Sequence, residues 1–143
     1  MRRRNIMLHA LTLFLAFSGA AAAASPTPTP TPCDGVDRHL TDSQKAQWAA
    51  PMAKQFGVAK VDVLQSFAYG HWRIVYAATH ETDEVFLFYA GDPATSRYVT
   101  LWGGAAMEDE EAEIRAWALK DAPGIPERLA ACFAWHVSKH RDM

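Results

Sequence analysis

Cysteine is scarce in this chain: its 143 residues contain two, Cys33 and Cys132. There is no C-x-x-C redox pair and no His/Cys cluster at zinc spacing. The glycine patterns that cradle dinucleotides or nucleoside triphosphates are missing, as is the G-x-S-x-G elbow of a serine hydrolase, so Ser96 has no nucleophile context. After the first two dozen residues no apolar run approaches the roughly 20 needed for a helix to span a bilayer. No internal repeat is visible, and no cofactor is expected. What remains is to weigh scattered side chains.

The N-terminus is the clearest signal present. Arg2-Arg3-Arg4, an apolar run from Ile6 to Phe17, and Ala22-Ala23-Ala24 have the three-part layout of a secretory signal peptide over residues 1–24, with cleavage expected near Ala24. Arg3-Arg4 fits twin-arginine export as well as the general route, and the sequence does not separate them. Cys33 follows Thr31-Pro32 rather than the apolar run, which is not the place of a lipidated cysteine. The protein is therefore expected in the periplasm or secreted, with no transmembrane anchor after cleavage. Residues 25–32 read S-P-T-P-T-P-T-P, an extended Pro/Thr-rich linker, because proline fixes φ and removes backbone donors.

The formal net charge is −2, but Arg2, Arg3 and Arg4 leave with the signal, giving 11 basic against 16 acidic residues and a net −5. An acidic chain argues against nucleic acid or anionic lipid as partner. Residues 33–143 then form one domain of about 110 residues, enough for a modest core. In an oxidising compartment, two cysteines favour a Cys33–Cys132 disulfide; a free catalytic thiol beside His136 is the rival reading.

Thr41 followed by Gln44 is a capping box opening a helix toward Gly57, with Trp48, Met52 and Phe56 on one stripe and Pro51 predicting a kink or break near Ala50. From Val61 the period becomes two. Val61 to Tyr69 and Trp72 to Thr79 read as a hairpin around Gly70-His71, pairing Tyr69 with Trp72, Phe67 with Ile74 and Gln65 with Tyr76 on one face. The other face pairs Ala68 with Arg73, Ser66 with Val75 and Leu64 with Ala77, so one side is large and aromatic and the other small. Glu84 to Ala90 and Arg97 to Trp102 make two further strands. Met107 to Asp121 is a helix with an acidic first turn, and Pro126 starts a last helix carrying Leu129, Cys132, Phe133 and His136. The fold class expected is α+β: a four-stranded antiparallel meander sheet with one N-terminal and two C-terminal helices, in two layers.

Three groups could carry function. His136 and His140 are spaced i, i+4 as a metal pair needs, but the Glu of H-E-x-x-H is absent, and no metal site is assigned. His80, Glu81 and Asp83 put an imidazole beside carboxylates between two strands, which suits acid–base work or cation binding and equally suits a solvated turn. Tyr69, Trp72, Tyr98 and Trp102 belong to an aromatic set in the sheet that is either core or a contact surface, since two layers leave one face open. With His71, His80, Glu81, Asp83, Asp92 and Arg97 on the connecting loops they make up the candidate contact surface. By class, small exported α+β domains with one disulfide and an acidic balance resemble periplasmic inhibitors and immunity proteins. That resemblance implies a protein-binding module acting on an envelope-directed enzyme, with another exported protein as partner. The alternatives are a small metal-dependent periplasmic hydrolase built on His80, Glu81 and Asp83 with His71 or His136, and a domain whose aromatic groove binds a peptide or small ligand.

Overall fold

A computed structural model describes residues 23–140; the expected signal peptide lies almost wholly outside the described residues. The elements are α1 (Asp42–Phe56), β1 (Asp62–Tyr69), β2 (Trp72–Ala78), β3 (Val85–Tyr89), β4 (Thr100–Gly103), a single 3-10 turn (Glu108–Glu110), α2 (Glu111–Asp121) and α3 (Glu127–Lys139). The four strands form one antiparallel sheet in the order β1-β2-β3-β4, which is the expected meander of an α+β fold.

Helix α1 begins as its sequence dictates. The Thr41 hydroxyl accepts from the Gln44 backbone N–H at 3.1 Å, and the Gln44 side chain accepts from the Thr41 N–H at 2.9 Å. Gly57 ends the helix in the left-handed conformation, where a side chain would be strained. No break occurs at Pro51: α1 runs unbroken from Asp42 to Phe56. Its apolar side packs Trp48, Met52 and Ala53 against the sheet, and that tertiary contact outweighs one missing helical hydrogen bond.

The hairpin register matches expectation from Gln65↔Tyr76 to Tyr69↔Trp72. It departs at a bulge between Val63 and Gln65, so Ala77 pairs with Val63 rather than with Leu64. The bulge turns Val63 inward and leaves Leu64 exposed, so that Val63 rather than Leu64 packs on the face that meets α1.

The sheet is covered on both faces, where two layers were expected. On the aromatic side Phe67, Trp72, Ile74, Phe86 and Phe88 pack against α2 and α3 through Ile114, Ala118, Leu129, Phe133 and Val137. On the small side Val63, Val75, Ala77, Leu87 and Tyr89 pack against Trp48, Met52 and Ala53 of α1. Small side chains on that face permit the close approach of a helix, and each large side chain buried contributes about 1.5–3 kcal/mol. The aromatic face is thus core, with Phe133 edge-on to Phe86 and Phe88 at 5.2 and 4.9 Å between centroids.

The segment before α1 closes the structure along the edge of β1. Cys33 is bonded to Cys132 of α3, Val36 enters the aromatic-side core, and Asp37 exchanges two backbone hydrogen bonds with Ala68. Arg128 donates to the Asp34 carbonyl at 2.7 Å, and the Arg38 guanidinium lies over the Phe67 ring. The Asp37 bridge covers the edge of β1 at Ala68.

Closing a loop of 99 residues restricts the unfolded chain, so replacing both cysteines by alanine is expected to cost about 2–5 kcal/mol in chemical denaturation. A second prediction concerns Tyr89, fully buried with a hydroxyl that has no hydrogen-bond partner among the described residues. Burial pushes its pKa well above the usual phenol value of 10.0, with a smaller contribution from Tyr98. Tyr89→Phe is expected to raise stability by about 1 kcal/mol. It should also flatten the loss of stability as pH rises above 10.0, because the wild-type phenol resists ionising only when folded.

Candidate binding site

In a meander, alternate connections lie at the same end of the sheet. The β1–β2 turn and the β3–β4 loop therefore share one end, and the β2–β3 turn occupies the other. This divides the candidate residues: Tyr69, His71, Asp92, Arg97 and Tyr98 stand at the near end, and His80, Glu81 and Asp83 at the far end.

At the near end Gly70 takes φ 60° and makes the first position of a tight hairpin turn, which lifts His71 to the tip. At Gly91 an added Cβ would stand 2.6 Å from the Ser96 hydroxyl, so a side chain there would force that hydroxyl to move. Asp92 organises that loop. Its carbonyl accepts from the N–H groups of Thr95 and Ser96, and its carboxylate oxygen Oδ1 accepts from the Ala94 N–H at 2.9 Å and from the Trp48 indole N–H at 3.0 Å. Gln55 of α1 holds the other side of the loop, donating to the Ser96 carbonyl at 2.9 Å and accepting from the Tyr98 N–H at 3.2 Å. Phe56 and Tyr98 stack at 5.6 Å. The loop is thus fastened to α1 at two points.

Between these parts lies a concavity of about 350 Å³ lined by Gln44, Gln47 and Trp48 of α1, Gly70, His71, Trp72 and Arg73 of the hairpin, and Gly91 and Asp92. Arg73 lies half-buried within it. Its guanidinium carbon stands 4.8 Å from the centroid of the Trp48 ring, and its Nη1 donates to the Ser66 hydroxyl at 3.0 Å. Trp48 is thereby held on its face by a cation and at its edge by the Asp92 carboxylate. A smaller hollow of about 290 Å³ beside it is lined by Pro51, Lys54, Gln55 and residues Ala94 to Arg97.

The remaining candidates are placed less favourably for a shared site. Trp72 is buried in the aromatic-side core, and Trp102 is half-buried against Phe86 and Phe133. Tyr69 is exposed beside the hairpin tip. His136 is fully buried between Phe67 and Phe86, whereas His140 lies on Trp135 at 3.9 Å between rings. Cys132 is disulfide-bonded and provides no thiol to His136. The described residues contain no group of three or more His, Cys, Asp or Glu side chains that could hold a metal ion.

Sequence reasoning missed Arg73 and Trp48 as site residues, treating them as a strand pair and a core stripe. The signal was available: Arg73 shares a face with Val75 and Ala77, and a charge at a core-facing position must find a polar setting.

At the far end His80 adopts φ 63°, unusual for a residue with a side chain, and its Nε2 pairs with the Asp62 carboxylate at 2.7 Å. Lys60 reaches the same carboxylate at 3.0 Å. Glu81 and Asp83 are exposed in the turn. The Lys60 and His80 hydrogen bonds hold the Asp62 pKa below the usual 3.8. A depressed carboxylate stabilises the fold above its unfolded pKa and loses that contribution as pH falls through the folded one. Asp62→Asn is therefore expected to flatten the acid limb of stability below pH 3.8, measured by urea denaturation across pH.

Comparison of the chain with protein-family models, with curated proteins and with solved structures finds no match.

Proposed function

We propose that this chain is an exported protein-binding module of inhibitor or immunity type, and that it engages another exported protein through the near end of its sheet. The observation that carries this reading is the fastening of the β3–β4 loop to α1 by Asp92 and Gln55, beside an exposed His71 tip. A loop ordered before binding loses little conformational entropy on contact, which is what a tight inhibitory surface requires. The aromatic sheet face no longer contributes to the argument, because α2 and α3 cover it. Contact falls instead to Tyr69, His71, Asp92 and Arg97.

Export rests on the N-terminal sequence pattern, and the Cys33–Cys132 disulfide is compatible with it. No helix among the described residues is long and apolar enough to cross a membrane. The hydrolase alternative rests on His80, Glu81 and Asp83 at the far end of the sheet, while of its optional additions His71 lies at the other end and His136 inside the core. The small-ligand alternative keeps one specific support, the concavity between α1 and the hairpin.

Affinity capture with the oxidised, tagged protein, run beside a His71→Ala/Arg97→Glu variant, tests the reading. One stoichiometric exported protein should be retained by the wild type and bound at least about tenfold more weakly by the variant. Identical eluates from the two would overturn it.

A further inference from the structure

We infer that the concavity beneath the hairpin tip is a receptor for a single carboxylate group, gripped by Arg73 above the Trp48 ring. The inference rests on the protein-binding reading only for where that carboxylate comes from: it names the group a partner inserts.

Arg73 carries a charge that enters no ion pair among the described residues. Arg73 lies half-buried on a sheet face that otherwise carries Val75, Ala77, Leu87 and Tyr89. Charges drawn out of water are ordinarily paired. The ion pairs among the described residues join Lys45 to Asp42, Lys60 and His80 to Asp62, Arg115 to Glu127 and Lys139 to Glu111, and none includes Arg73. Its contacts are a neutral hydroxyl and an indole face. The nearest carboxylate on the concavity wall, Asp92, is turned to the Trp48 and Ala94 N–H groups.

Geometry then selects the ligand. Nη1 is engaged with Ser66, and a guanidinium has five donors in one plane, so further N–H groups are left for a second partner. A planar carboxylate can accept two of these side by side, the arrangement in which arginine binds it most strongly. The Gln44 and Gln47 amides and the His71 ring line the same space and offer further N–H donors. Asp92 lines the same concavity and offsets the Arg73 charge, so a phosphate dianion gains no net Coulomb advantage there to repay its larger desolvation cost. The chain's net negative charge does not prevent this, because exposed charges more than about 10 Å away are largely screened at 0.1 M salt. Two sources share the chemistry, the terminal carboxylate of a peptide chain and an acidic side chain.

The test uses the oxidised, isotope-labelled protein and follows the side-chain N–H resonances of Arg73 and Trp48 by NMR. The probes are N-acetyl-alanine for a chain terminus, glutaric acid monoamide for an acidic side chain, N-acetyl-alanine amide as the neutral control, and inorganic phosphate. A saturable shift is expected with at least one carboxylate, with a dissociation constant on the order of 1 mM for so small a fragment. Binding should weaken at least tenfold in Arg73→Gln. Gln47→Glu serves as the second variant, since Gln47 is exposed on α1 and its replacement leaves the Trp48 stack in place; it should weaken binding equally by putting a competing carboxylate beside Arg73. Preference for N-acetyl-alanine or for glutaric acid monoamide supports the inference and identifies the source. No saturable shift with either carboxylate, equal binding by the neutral amide, tighter binding of phosphate, or unchanged binding in Gln47→Glu would each overturn it. Carboxylate binding that persists when affinity capture yields no partner would overturn the protein-binding reading alone.

Discussion

A two-residue turn sets the register of β1 against β2, and register decides which side chains share a face of the sheet. Gly70 makes that turn possible, and from it follow two unequal surfaces. One carries Phe67, Trp72, Ile74 and Tyr76; the other carries Ser66, Ala68, Arg73, Val75 and Ala77. Strand β3 continues both, with Phe86 and Phe88 on the first and Leu87 and Tyr89 on the second. A slip of one residue would exchange the two sets, send Arg73 into the aromatic core and leave α1 facing large rings. The positions of all three helices and of the candidate site depend on this alternation.

The two faces are used differently. On the aromatic side Phe133 sits among Phe86, Phe88, Trp102 and Trp117, a set of edge-on and tilted ring contacts that defines where α3 lies. The disulfide from Cys132 then fixes the segment around Val36 against the same core and the edge of β1. On the small side α1 approaches through Trp48, Met52 and Ala53, and its Trp48 reaches beyond the apolar contact to meet Arg73 and Asp92. The apolar packing of one helix thus delivers the polar end of its indole to the site.

Elements whose signals are local could be read from the sequence. The Thr41–Gln44 capping box, the Gly57 cap, the Gly70-His71 turn and the register it imposes need nothing beyond neighbouring residues. The order of helices and strands followed, as did the pairing of two lone cysteines. What was not legible depends on contacts between distant segments. The bulge at Leu64 answers to the needs of α1 some 16 residues earlier by number, since only a shifted register keeps Val63 on the buried side. The third layer is a choice of face by α1, and nothing in its own stripe names a face. Pro51 suggested a kink or a break, and the break does not form because packing of α1 on the sheet overrides local propensity. For the candidate site, the loops around His71 and Asp92 could be singled out because their composition is that of exposed turns. Arg73 was passed over because a strand residue's setting is supplied by a helix 25 positions away. The far-end group at His80 was legible as a turn, and its separation from His71 required the meander itself.

The near end is a place where stiffness and unspent charge coincide. Asp92 and Gln55 tie a loop to α1, Thr41 and Gln44 tie down the start of α1, and Gly70 shapes the hairpin; each clamp uses hydrogen bonds already made before anything binds. Preorganised surroundings raise the value of one electrostatic contact, because little has to be ordered or reoriented when the contact forms. The Arg73 guanidinium, stacked on a Trp48 ring that Asp92 in turn holds at its edge, is fixed in direction by the same network. A flexible lysine at that position would keep the charge and lose the planar fork, so the directional recognition proposed for this site depends on the guanidinium group and on the indole that holds it flat.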